Sequence, residues 1–233
     1  LKMTNSSAIV DADFTQVNNI QKLELFDTTH TLAATIGAEA LGAGLTSVST
    51  GTGTNSVIVE AGYNTGTLTV ALDTGNDTIN GSLQGGGNLI VTAAQDSLTT
   101  DDTITGGSSV NTTLKITGGG ATLNAADLDK VTAIEKIETA TNVDFHIITH
   151  ENNAASGVNV AFDASSMTST NLTFDARAET DGGSYTLTAG GGNDTIKMGT
   201  GADILLYANG KLTSNDVIDA GSGADNTLKM TNS

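Results

Sequence analysis

Apolar residues in this chain come in short alternating runs: Leu1/Met3, Leu23/Leu25, Val57/Val59, Leu68/Val70/Leu72, Leu89/Val91 and Leu114/Ile116, with a lone Ile104 before the last. A period of two puts one face of an extended strand in a core and the other in water. Between the runs lie Gly, Asn, Asp, Ser and Thr, the residues of tight turns. The runs recur every 9 to 12 residues, and Leu1 to Leu23 is a step of 22. That step suits one coil of a parallel β-solenoid carrying two short strands, each coil stacked only on its neighbours. The pattern predicts an all-β chain, a parallel β-solenoid or β-roll. A β-sandwich of similar strand spacing is the competing architecture.

Two segments break the alternation. ADFTQVNNI spaces Phe14, Val17 and Ile20 about three apart, and AADLDKVTAI does the same with Leu128, Val131 and Ile134. Asp11 and Asn124 stand just upstream as N-cap candidates. A short helical turn is expected in each, leading into the strands KLEL and KIET. TIGAEALGAG (35–44) is a further candidate helical turn, ended by glycine.

These segments also expose an internal repeat. LKMTNS occupies Leu1–Ser6 and again Leu228–Ser233, with a worn copy, LKIT, at Leu114–Thr117. Asp13, Val17, Ile20, Lys22 and Glu24 recur 114 residues later as Asp127, Val131, Ile134, Lys136 and Glu138. Asp102, Ile104, Gly107 and Ser108 recur at the same step as Asp216, Ile218, Gly221 and Ser222. The expected organisation is one repeat unit over 1–113, a second over 114–227, and at 228–233 the first strand of a third. No charge block or Pro/Ser tract separates them, and the chain reads as a window on a longer tandem array.

Composition narrows the core. Of 233 residues, 37% are hydrophobic but only 3% aromatic, with 28 Gly and no Trp, Pro or Cys. Such a chain buries Val, Ile, Leu, Ala and Thr in thin layers, while the regular apolar spacing argues against disorder. The net charge of −17, from 26 acids against 9 Lys and Arg, argues against nucleic acid and against anionic membrane surfaces as partners. It also makes the chain repel itself unless cations neutralise it. No apolar stretch approaches the roughly 18 residues of a membrane span, and no signal peptide is visible.

The second unit holds AGGGNDTIK followed by MGTGADILL (189–206). Both fit Gly-Gly-x-Gly-x-Asp-x-U-x, with U a large apolar residue, at all but the first position. Glycines allow a turn whose carbonyls face inward, and the aspartate adds a carboxylate. The apolar residue two places on starts a strand. Oxygen-only donors of this kind select Ca²⁺ over zinc or copper.

The two nonapeptides resemble RTX calcium-binding repeats, and with the recurring Val-x-x-Ile-x-Lys segment the chain resembles S-layer and giant surface proteins of Gram-negative bacteria. The resemblance implies calcium-stabilised β-rolls, type I secretion and an extracellular place on the bacterial cell surface. Carried over, it makes Asp194 and Asp203 carboxylate ligands of Ca²⁺ and puts Gly190, Gly192, Asn193, Gly199, Gly201 and Ala202 at carbonyl-donor positions. Degenerate copies add Asp73 and Asp77 in DTGNDTIN, Asp102 in TTDDTITGG, and Asp216, Asp219 and Asp225 in SNDVIDAGSGAD. Asn111 stands where Asp225 stands one repeat later. Plain Asx turns without metal are the alternative throughout.

Other features carry less. His146 and His150 with Glu151 place two imidazoles on one face, but no third zinc ligand and no HExxH accompany them. Gly85–Gly87 and Gly118–Gly120 are not followed by GK[ST]. No Ser or Thr is paired with a His and an acid at recognisable spacing, so an enzyme is not expected. The expectation is a calcium-stabilised tandem-repeat structural protein that self-assembles as an S-layer or extracellular filament. Its partners would be other copies of itself, with cell-surface polysaccharide a further candidate. The alternatives are the stalk of a giant RTX adhesin and the secretion module of an RTX exoenzyme.

Overall fold

The fold comes from a computed structural model, which describes residues 2–3, 8–26, 30–107, 111–140 and 142–232. Leu1, Thr4, Asn5, Ser6 and Ser108 of the repeat, and Ser233, lie outside the described residues. The chain is an all-β parallel β-solenoid with very little helix. It divides into two compact units, Leu1–Leu114 and Lys115–Ser233.

In the first unit one sheet stacks Lys2–Met3, Lys22–Leu25, Ser47–Ser49, Thr67–Ala71 and Asn88–Ala94, every pairing parallel. The second sheet stacks Ala8–Ile9, Leu32–Ile36, Asn55–Val59, Asp77–Asn80 and Thr103–Thr105, also parallel. Consecutive strands alternate between the sheets, so two strands and two turns make one coil. All-parallel pairing rules out the sandwich of hairpins.

Stacking in register brings like residues together. Leu23, Val48, Val70 and Val91 form one inward column, and Ala34, Val57, Ile79 and Ile104 another. All eight are 2% exposed or less. Phe14 and Tyr63, 1% and 0% exposed, join these aliphatic columns in the first unit's interior.

The second unit repeats the plan. One sheet contains Lys136–Thr139, Asn159–Asp163, Ser184–Thr188, Ile204–Ala208 and Thr227–Thr231. The other contains Thr122–Leu123, Phe145–Ile148, Leu172–Asp175, Thr195–Lys197 and Val217–Asp219. Its core is heavier: Phe162 meets Phe174 with ring centroids 4.6 Å apart, and Phe174 meets Tyr185 edge-on at 5.4 Å. Most coils take 21 to 27 residues, but the register Thr186↔Ile204 closes one in 18. That shortest coil is the pair of nonapeptides.

Both expected helical turns leading into KLEL and KIET are present, as a 3₁₀ turn at Asp11–Phe14 and a helix at Ala125–Leu128. They are closed alike: Val10 N–H donates to Asp13 Oδ2 and Asn124 N–H to Asp127 Oδ2, each at 2.9 Å. Asn124 is the N-cap as expected. Asp11 is not; Val10 holds that place. The Asp11 carboxylate instead accepts from Gly37, Glu39 and Ala40 N–H at 2.8, 3.0 and 2.9 Å. It thereby caps the helix Ala38–Gly42 of the next coil, a partner that no local pattern could name. The TIGAEALGAG turn of helix is this one, and Gly44 follows it at φ +91°. Repeat-mates Lys22/Glu24 and Lys136/Glu138 form the same ion pair, 2.8 and 2.7 Å.

Candidate cation-binding turns

Chain geometry places the nonapeptide aspartates at the crossings between sheets. Asp194 sits where the chain leaves Ser184–Thr188 for Thr195–Lys197, and Asp203 where it returns to Ile204–Ala208. Nine residues are half of the 18-residue coil, so the two carboxylates occupy opposite turns and do not share one ion. Each belongs instead to a ladder along its own edge.

In each ladder a carboxylate caps a backbone N–H of the coil beneath. Asp194 Oδ1 accepts from Leu172 N–H at 2.9 Å, and Asp194 N–H donates in turn to Asp216 Oδ1 at 2.7 Å. Asp203 Oδ1 accepts from Tyr185 N–H at 2.7 Å, and Asp203 N–H donates to Asn226 Oδ1 at 2.9 Å. Only one oxygen of each carboxylate is used. Asp194 and Asp203 are 1% and 3% exposed, and Oδ2 of each is buried without any partner. Orphaned buried carboxylate oxygens are costly. Burial, with Asp216 adding, raises Asp194 to about 6, and burial likewise raises Asp203.

Glycine is required beside them because coils touch here through backbone. A Cβ at Gly201 would collide with the Gly183 carbonyl oxygen, and one at Gly223 with that of Gly201. The carbonyl of Gly199 likewise faces Gly221. The Gly199 and Gly201 carbonyls thus face the next coil on the Asp203 edge, while Ala202 is exposed. At the other edge Gly190 and Gly192 receive the carbonyls of Met167 and Thr170, and Asn193 N–H donates to Asn171 Oδ1 at 2.7 Å. This edge has a cation of its own, for Lys211 Nζ reaches past Gly191 to Thr168 O at 3.2 Å. The donor set of carboxylate and carbonyl oxygens is of the kind that suits a hard cation at Asp203 and at Asp194.

The first-unit turn differs. Asn55 Nδ2 donates to Gly51 O, Gly53 O and Asp77 Oδ1 at 3.0, 2.9 and 3.0 Å. A side-chain amide thus fills the place between carbonyls and carboxylate that an ion would need. Asp77 Oδ2 accepts from Thr50 Oγ1 at 2.7 Å. Asp102 accepts from Asp77 N–H through Oδ1 and from Thr99 N–H and Oγ1 through Oδ2. Each oxygen of these two carboxylates thus already accepts a hydrogen bond. Asp77 is raised to about 6 all the same, by burial first.

Of the remaining expected ligands, three bond within their own turns. Asp73 Oδ1 caps Thr74 N–H, Asp219 Oδ1 caps Gly221 N–H, and Asp216 Oδ2 accepts from Thr213 N–H. Asp225 is exposed at φ +66°. His150 caps a 3₁₀ turn, its Nδ1 accepting from Asn152 N–H at 3.1 Å, and His146 Nδ1 lies 3.1 Å from Thr122 Oγ1. Among the described residues no three acids, histidines or cysteines converge on one point. Asn55 was overlooked although its signal was present, since GTGTN stands one 22-residue coil before GND with Asn in the aspartate position.

No protein-family model matches the chain, and no curated protein and no solved structure matches it.

Proposed function

We propose that this is a calcium-stabilised structural protein of the bacterial cell surface, a tandem-repeat solenoid that assembles with further copies of itself into an S-layer or filament. The supporting observation is the pair of buried carboxylates, Asp194 and Asp203, each with one oxygen holding the next coil and the other left without a donor. A bound Ca²⁺ supplies positive charge to that second oxygen and to the neighbouring carbonyls. Asp203 with the Gly199 and Gly201 carbonyls would hold one ion, and Asp194 another. Below the binding concentration the carboxylates repel the folded form, and above it they brace the stack. Its work is mechanical rather than catalytic.

Negative-stain microscopy tests the reading. Purified protein should form sheets or fibres in millimolar calcium and disperse in EDTA, and the Asp194→Ala/Asp203→Ala chain should stay dispersed in both. Monodisperse particles at every calcium concentration would refute assembly.

A further inference from the structure

Glu179 is a buried acid that the nonapeptide pattern does not explain. It lies in the turn between Leu172–Asp175 and Ser184–Thr188, 1% exposed, with its N–H on Ala176 O at 3.0 Å. One coil earlier the same edge turns through Asn153, whose N–H lies on His150 O, also at 3.0 Å. Asn153 Nδ2 donates to Leu128 O and Val131 O, both at 2.8 Å. A carboxylate cannot donate in that way, so Glu179 brings an acceptor where the preceding turn uses a donor.

A second carboxylate is drawn in beside it. Glu179 Oε1 and Asp181 Oδ1 each accept from the single N–H of Gly183 at 3.1 Å, and Glu179 Oε1 also takes the Asp181 N–H at 3.3 Å. One shared peptide N–H cannot neutralise two charges. Glu179 Oε2 is buried with no partner, and Tyr185 beside it is fully buried. The Tyr185 hydroxyl is raised by burial and then by the charges of Glu179 and Asp203, which places it in their field. Glu151 closes the outer side, its Oε1 accepting from Thr180 Oγ1 at 2.7 Å. Among the described residues no Lys or Arg pairs with Glu179 or Asp181.

We propose that Glu179 and Asp181 form a divalent-cation site of their own, taking a hard ion such as Ca²⁺ through Glu179 Oε2 and the Asp181 carboxylate. Asp181 is exposed, so the ion enters from solvent while Glu179 anchors it from within. All the donors are oxygens, which selects calcium-like cations over thiophilic or imidazole-seeking metals. Burial, with Asp181 adding, pushes Glu179 up to about 7, so protons compete with the ion near neutrality. Its turn stacks against the Gly199–Asp203 turn, with Gly199 lying on Glu179, so the site shares an edge with any ion at Asp203.

Equilibrium dialysis against calcium at pH 7.5, on the full chain, tests this. Glu179→Gln should bind one ion fewer than the parent, while Asp194→Asn/Asp203→Asn should lose its own ions and keep this one. Glu179→Gln removes the charge at constant shape, so its melting point in EDTA should not fall; if it does, Asp181→Asn must show the same loss of one ion. An unchanged count in Glu179→Gln and Asp181→Asn overturns this site and leaves the nonapeptide reading standing. A loss confined to Glu179→Gln and Asp181→Asn sinks that reading and leaves this one. A parent that binds no calcium overturns both.

Discussion

Replacing Asp194 by Asn should stabilise the calcium-free protein at pH 7.5. The buried carboxyl is raised from 3.8 to about 6, so the folded state holds a proton that the unfolded state has released between those values. Stability therefore falls as pH rises through that window and is level above it. A rise of that size opposes folding by about 3 kcal/mol above pH 6. Asn keeps the Oδ1 bond to Leu172 N–H but leaves an unpaired buried amide, a cost of about 1 kcal/mol. The net gain is about 2 kcal/mol. For a chain of this length that is roughly 4–8 °C in melting temperature. Calorimetry in EDTA should show this gain at pH 7.5 and none at pH 4, where the parent is protonated. A variant that melts below the parent by the same margin at both pH values would refute the argument from charge burial.

Three further substitutions test the geometry. Asn55→Asp sets a second carboxylate against Asp77 in place of the amide at 3.0 Å, so melting in EDTA at neutral pH should drop by about 3–5 kcal/mol. Calcium should restore it, making the first unit calcium-responsive; no drop would mean the amide is not holding that turn. Gly201→Ala drives a methyl into the Gly183 carbonyl, and denaturant titration should show a loss of at least about 1–3 kcal/mol because backbone cannot yield. Phe174→Ala opens the Phe162/Phe174/Tyr185 cluster and should cost about 3–5 kcal/mol by the same measurement. A cost near zero would mean that cluster is loosely packed.

Period-two patterning was enough to read the parallel stack, because a strand with one buried face must alternate and each coil repeats the demand on its neighbour. The helical turns were legible for a similar reason: Asp13 and Asp127 act three residues from the N–H they cap. What escaped the sequence acts across coils. Asp11 caps a helix 26 residues on, Asn55 reaches Asp77 22 residues on, and Glu179 gains its meaning only from the turn stacked beneath it. Local composition shows an acid or an amide in each case, and only the register says whether its oxygens find donors. Asp77 and Asp194 sit in similar GND turns, yet one carboxylate is fully bonded and the other keeps a free oxygen.

The central claim is that calcium at Asp194 and Asp203 holds the folded coils together, and scanning calorimetry of the unmodified chain at pH 7.5 tests it most directly. Binding to the folded form alone adds about 1.4 kcal/mol per site at ten times Kd, and extracellular calcium modules bind at about 10⁻⁴–10⁻³ M. Melting in 10 mM calcium (about ten times the upper Kd) should therefore lie several degrees above melting in EDTA, with Mg²⁺ a poor substitute because it dehydrates reluctantly. Coincident melting curves in EDTA and in calcium would contradict the account.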